Sequence, residues 1–182
     1  MKRIVPIVLG VLAISAAALA QTPEEMIERA LAAAPRQMKE GATVIKWKAD
    51  NTYDTVKKGT NRLVCYDRSG EPGQQPFAVQ CTSLANLDRV AQNRKFEAMT
   101  DKAAKQAALE AAEKDGTRAK PEFGSVWLTT NGPDQAHARI HTTIAVPGAT
   151  AQSMGLPDNN KQGGVWIMNA GTSTAHLMTP GS

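Results

Sequence analysis

The last third of the chain holds all three histidines, whose side chains change charge closest to neutral pH. Two of them, His137 and His141, flank Arg139. On a helix the two imidazoles would stand one turn apart and could share a metal ion, whereas on a strand they would lie about 13 Å apart. The β-branched residues between Ile140 and Val146 favour a strand. We therefore expect His137, Arg139 and His141 to form a row on one face of a sheet.

A row of this kind would attract carboxylate or phosphate groups. Arginine stays charged at ordinary pH, and an imidazole in an ordinary setting gains a proton as the pH falls through about 6.5. Anion binding should therefore strengthen at lower pH and weaken with added salt. Together with Trp166, from the same third of the chain, His137, Arg139 and His141 form the predicted ligand-binding set. The alternative is a solvated sheet face without a ligand.

A second pattern that could do chemistry is His176-Leu177-Met178 near the end of the chain, with Met154 and Met168 nearby in sequence. On a strand, His176 and Met178 would share a face, because successive side chains alternate between the two faces. An imidazole beside a thioether suits Cu(I), which prefers soft ligands. This pattern predicts a metal site at His176 and Met178, and periplasmic copper binding is an alternative function. The competing explanation is that the methionines only fill the core.

Several other functions are disfavoured by the sequence. The motifs Gly-x-Ser-x-Gly, His-Glu-x-x-His and Ser-x-x-Lys do not occur, and no glycine-rich phosphate loop is present. Basic residues are dispersed, and the eight aromatic residues do not alternate with them, so we expect no nucleic-acid binding. We expect no cofactor. A hydrolase-type enzyme that uses the His137, Arg139 and His141 face is the catalytic alternative to a non-catalytic role.

The two cysteines are placed as a cross-strand pair would be. Cys65 and Cys81 each lie in a short apolar segment, and residues 69–76 between them are rich in glycine and proline, which is typical of a turn or loop. In an oxidising compartment this arrangement predicts a disulfide bond. The alternatives are two buried thiols or a redox-active pair, but the spacing is not Cys-x-x-Cys.

The N-terminus has the order of an export signal. Lys2 and Arg3 precede an apolar run, and small residues follow at Ala18 and Ala20. We expect residues 1–20 to be a signal peptide cleaved before Gln21, which places the protein in the periplasm or outside the cell. Without Lys2 and Arg3 the formal charge falls from +4 to +2. The alternative is an uncleaved anchor, although the apolar run is at the lower limit for spanning a membrane. We expect no later membrane span.

Local signals predict the elements that position these residues. Thr22, Pro23 and Glu25 predict the start of a helix that ends before Pro35. Residues 84–115 have strong helix composition and form one helix or two, with an end at Gly116. A short helical turn is predicted within residues 150–156. Strand signals occur in seven stretches: residues 42–47, 61–67, 77–82, 123–130 and 138–146, and two short runs at 165–168 and 175–178.

This order of elements predicts an α+β fold in residues 21–182, as a single domain. We expect a mainly antiparallel sheet, with an N-terminal helix and a long alanine-rich central helix (or two) packed on one side of it. The function that we expect is a non-catalytic binding or envelope-associated module. Its partner would be a small anionic ligand or an envelope protein.

Overall fold

Eight strands and four α-helices build an α+β fold in the computed structural model, which describes residues 21–179. The predicted signal peptide lies outside the described residues. The strands are β1 (Thr43–Trp47), β2 (Tyr53–Lys57), β3 (Leu63–Asp67), β4 (Phe77–Ser83), β5 (Val126–Gly132), β6 (Arg139–Ala145), β7 (Trp166–Met168) and β8 (His176–Met178). The helices are α1 (Pro23–Ala30), α2 (Leu87–Glu97), α3 (Lys102–Lys114) and α4 (Ala151–Met154).

All eight strands belong to one sheet, in the order β2-β1-β3-β4-β5-β6-β8-β7. Every neighbouring pair is antiparallel except β1 and β3, which run parallel and are joined through only two residue pairs, Thr43 with Val64 and Val44 with Cys65. The sheet is therefore mixed but mostly antiparallel, as the sequence predicts.

The prediction that the helices pack on one side of the sheet is wrong. Ala30 and the turn after α1 pack with Leu63 and Cys65, whereas Val90 of α2 packs with Val64. Because successive residues of a strand point to opposite faces, α1 and α2 cover opposite faces of the sheet. Apolar residues at consecutive positions of β3 and β4 are consistent with this, since both strands are buried on both faces.

The N-terminal helix forms as its capping signals predict. The Thr22 hydroxyl accepts a hydrogen bond from the Glu25 N–H, and the Glu25 carboxylate accepts one from the Thr22 N–H. A short 3-10 turn over Leu31–Ala33 extends α1 towards Pro35. At the end of the helix the Arg29 guanidinium donates to the Asp67 carboxylate, which ties α1 to the end of β3.

The central helical region is two helices. The break falls at residues 98–101, where the Asp101 carboxylate accepts hydrogen bonds from the N–H groups of Ala103 and Ala104 and so begins α3. Gly116 follows α3 with a φ of 72°, a left-handed conformation that favours glycine and ends the helix as predicted. Only α2 packs on the sheet through its apolar side chains, and α3 contacts α2.

The predicted disulfide bond is confirmed. Cys65 of β3 and Cys81 of β4 are direct cross-strand partners, and their sulfur atoms are 2.08 Å apart. Both residues are fully buried beneath α1, in the same cluster as Ala30. The bridge therefore lies in the core on the face that α1 covers.

The strands depart from the sequence prediction most clearly at β5 and β2. Asn131 and Gly132, which lie beyond the predicted strand at residues 123–130, form the end of β5, because they pair with Ala78 and Phe77 of β4. β2 was not predicted as a separate strand, since its exposed residues lack an apolar alternation. It forms by pairing with β1 and lies at the edge of the sheet.

Candidate functional site

Five of the six predicted ligand or metal residues share one face of the sheet. Every second residue of β6 points to this face, so Arg139, His141 and Thr143 lie on it together. Cross-strand pairing continues the face from Thr143 to Met178 of β8, and from Met178 to Trp166 of β7. His176 lies two residues before Met178 and therefore points the same way. This is also the face on which α2 packs, through Trp127, the β5 partner of Thr143.

His137 does not join this row. β6 begins at Arg139, so His137 lies in the preceding turn, where its Nδ1 is 2.8 Å from a carboxylate oxygen of Asp134. The hydrogen bonds from the His137 ring and backbone lower the pKa of Asp134. Arg139 is exposed and His141 is half-buried. The row on the sheet therefore consists of Arg139 and His141, and their role in ligand binding stays a prediction.

A small cleft lies on this face, where α2 meets β5, β6 and β8. Its volume is about 140 Å³. One wall is the Trp127 ring, and the rest of the lining is polar or small: Arg89, Asn93, Pro121, Thr143, Ala145, Thr174, Ala175 and His176. The cleft thus combines an arginine, a histidine and two threonine hydroxyls with an aromatic wall.

Arg89 is the strongest charge in the cleft, and it is 4% exposed. Its guanidinium donates to the Ala119 carbonyl at 2.7 Å, to the Ser173 hydroxyl at 3.0 Å and to the Thr174 hydroxyl at 2.9 Å. These acceptors are all neutral. Burial, together with the nearby charge of Arg118, lowers the pKa of Arg89 to about 10, although Glu113 acts in the opposite direction. Arg89 remains charged at neutral pH, in surroundings that disfavour the charge.

The Glu113 carboxylate is linked to Arg89 through one hydroxyl group, that of Ser173. The Ser173 hydroxyl, which accepts from Arg89, donates to the Glu113 carboxylate at 2.6 Å. Burial alone would raise the pKa of Glu113, but hydrogen bonds from Ser173 and the charges of Arg89 and Arg118 outweigh it and lower the pKa. Arg118, 7% exposed, donates to the side-chain oxygens of Gln92 and Asn93. One carboxylate thus lies close to two buried guanidinium groups.

The hydrogen bonding of His176 determines which of its two ring nitrogens carries the proton when the ring is neutral. Its Nδ1 is 2.8 Å from the Thr174 carbonyl oxygen. A carbonyl can only accept, so Nδ1 carries the proton and Nε2 of the neutral ring is an acceptor or metal ligand.

A second cavity differs from the Arg89 cleft because its arginine is paired directly with a carboxylate. This cavity, of about 300 Å³, lies where β1 and β3 diverge, and Trp47, Asp67, Glu71 and Arg94 are among its lining residues. Arg94 pairs directly with Glu71, and its guanidinium lies 5.2 Å from the centre of the Trp47 ring. Because its arginine already has a carboxylate partner, this cavity is a weaker place for an anion than the Arg89 cleft.

Arg89 and Asn93 were not predicted from the sequence as candidate site residues. The signal that could have found them is a helical repeat of polar residues at the spacing i, i+3, i+4: Arg89, Gln92 and Asn93. Such a stripe is normally a solvated face. Here it is covered by residues 117–119 and 173–174, which accept its hydrogen bonds.

Comparisons with protein-family models, with curated proteins and with solved structures found no match for this chain. Among residues 21–179, no helix has the length and apolar character needed to cross a membrane.

Proposed function

We propose that this protein is an exported, non-catalytic binding module, and that its ligand is a small anion held in the cleft lined by Arg89, Trp127 and His176. The observation that supports this proposal is a buried guanidinium group that lines a cleft and has only neutral hydrogen-bond acceptors. A bound carboxylate or phosphate oxygen would supply the charge that these acceptors lack. The disulfide bond agrees with export into an oxidising compartment.

The size of the cleft restricts the ligand. A volume of about 140 Å³ is well below the roughly 300–1,000 Å³ of pockets that hold drug-sized molecules. A ligand of a few non-hydrogen atoms fits this space, such as phosphate or a short carboxylate. Thr143 and Thr174 line the cleft and carry hydroxyl groups able to donate to such an anion, and the Trp127 ring would contact its apolar part.

The predicted row on β6 leads towards this cleft. His141 lies two residues from Thr143 on the same face, about 7 Å along the strand, and Arg139 lies the same distance beyond. Arg139 is exposed and is too far away to line the cleft. Its charge would raise the local concentration of anions and so speed their association, an effect that salt would screen.

Isothermal titration calorimetry of the purified protein with phosphate, acetate and oxalate tests the proposal. We expect at least one of the three to bind with a millimolar or lower Kd, and more weakly at high salt. Arg89→Met should weaken that binding at least tenfold, because a hydrogen bond to a charged group contributes about 1.5–3 kcal/mol. Circular dichroism of the variant establishes whether it is folded.

A second pair of variants leaves Arg89 in place. Thr143→Leu should fill the cleft from the sheet side and abolish binding. Thr142→Leu makes the same change on the opposite face and should leave binding unaltered. The proposal is wrong if none of the three anions binds, or if Thr143→Leu and Thr142→Leu bind them equally well.

The catalytic alternative has a separate test. Panels of esters, peptides and glycans would reveal turnover, and a non-catalytic module should show none. Turnover that is lost in His141→Ala would contradict a non-catalytic role and favour the enzyme.

A further inference from the structure

The hairpin of β7 and β8 places four side chains in a two-by-two array on the face that carries the cleft. Met168 is the cross-strand partner of His176, and Trp166 is the partner of Met178. Residues two apart on a strand share a face, so Met168 and Met178 are both nearest neighbours of His176. The intervening residues, Ile167 and Leu177, point to the opposite face, where they belong to a separate apolar cluster.

The spacing of this array suits a single ion. Directly opposed residues have Cβ atoms about 4.5–5.5 Å apart, and residues two apart on a strand are separated by about 7 Å. Methionine has three flexible side-chain torsions, so both thioethers can reach a point above His176. The His176 Nδ1 is occupied by the Thr174 carbonyl, which leaves Nε2 as the ligand atom.

The donor atoms determine the class of metal. Among residues 21–179, no group of three His, Cys, Asp or Glu side chains could hold a metal ion. One imidazole and two thioethers form a soft, uncharged ligand set, which favours Cu(I) over the divalent ions that prefer oxygen ligands. The Trp166 ring occupies the fourth corner of the array, and the face of an indole ring attracts cations.

We propose that Met168, His176 and Met178 bind one Cu(I) ion, with Trp166 packed beside it. This site shares His176 with the proposed anion cleft, whereas its other two ligands, Met168 and Met178, do not line the cleft. Arg89 lies in the same cleft, so an anion bound there would offset the guanidinium charge near the copper ion.

The test is an anaerobic titration of the purified protein with Cu(I), in competition with bicinchoninate as the reporting chelator. Met168 is 40% exposed, so Met168→Leu should remove a thioether without unfolding the protein. We expect the unmodified protein to take one equivalent of Cu(I) from the chelator, and Met168→Leu to bind at least tenfold more weakly. Met154→Leu, on α4, is the matched control and should bind as the unmodified protein does.

A second measurement reports the position of the ion. Ag(I), which is redox-inert and has similar ligand preferences, should quench the fluorescence of Trp166, and Trp166→Phe should lose that change. Met168→Leu should keep its affinity for phosphate, so failure of the anion proposal and failure of the copper proposal are distinguishable. The copper proposal is overturned if the unmodified protein takes no Cu(I) from the chelator, or if Met168→Leu and Met154→Leu bind it equally.

Discussion

Reduction of the Cys65–Cys81 bridge should lower the free energy of unfolding by about 3 kcal/mol. The two cysteines are 16 residues apart, so the bridge closes a loop of that length in the unfolded chain. For such a loop the chain-entropy model gives a loss of about 10 cal/mol/K, which is about 3 kcal/mol at 25 °C. That is a large share of the roughly 5–15 kcal/mol that stabilises a typical domain.

Urea unfolding of the oxidised and reduced protein, followed by circular dichroism, measures this difference. The reduced protein should unfold at a lower urea concentration and with a slightly steeper dependence on urea, because its unfolded chain exposes more surface. In a variant that carries both Cys65→Ala and Cys81→Ala, the loss should exceed 3 kcal/mol. Both sulfur atoms are buried beneath α1, so their removal also leaves a small cavity.

The comparison separates the two contributions. Reduction keeps both sulfur atoms and changes mainly the unfolded chain, whereas the double alanine variant also loses packing. A difference below 1 kcal/mol between the oxidised and reduced protein would refute the reasoning. It would mean that residues 65–81 stay close together in the unfolded state even without the bridge.

Three further predictions concern stability. Asn86→Ala should cost about 2–3 kcal/mol in urea unfolding, because the buried amide donates to Thr82 and Ser125 and accepts from the Glu122 N–H. The pKa of Glu113 is lowered, so its stabilising contribution is present at neutral pH and is lost as the pH falls below the usual value of 4.5. Glu113→Gln should therefore destabilise the protein more at pH 7 than at pH 3. Gly59→Ala should lower the urea midpoint by the equivalent of about 1–3 kcal/mol, because its Cβ would lie 2.3 Å from the Gly41 carbonyl oxygen.

Each of these predictions has an outcome that contradicts it. Asn160→Ala, at an exposed position, is the control for the buried amide, and an equal effect of the two substitutions would remove the case for the Asn86 network. An effect of Glu113→Gln that does not change between pH 7 and pH 3 would show that its contribution does not depend on ionisation. Unchanged stability of Gly59→Ala would mean that the backbone around Gly41 moves at little cost.

Elements with local signals could be predicted from the sequence. The cap at Thr22 and the stops at Pro35 and Gly116 depend on neighbouring residues only. The disulfide bond also was predictable, because a turn-rich segment joins two apolar runs that each carry one cysteine. In contrast, whether α2 lies on the same face as α1 depends on the path of the chain across the sheet, and no local pattern records that path.

The residues of the candidate sites likewise divide into those with a local sequence signal and those placed by the path of the chain. His176 and Met178 could be recognised as a pair because they are two residues apart. Met168 lies nearby in the sequence, but its position opposite His176 could not be predicted, since this register depends on the loop formed by residues 169–175. Arg89 was missed for a related reason: the loops that bury it come from residues 119 and 173–174, far away in the sequence.

The short parallel ladder between β1 and β3 has a consequence for how the protein opens. Within the described sheet, strand pairing joins the β1–β2 hairpin to β3 only through Thr43 and Val44. The disulfide bond, in contrast, ties β3 to β4 through Cys65, the partner of Val44. We expect backbone amides of β2 and the second half of β1 to exchange with deuterium faster than those of β3 to β5. We expect the hairpin to open as a unit. The opposite end of the sheet, which carries the Arg89 cleft and the methionines of β7 and β8, should keep its structure during this opening.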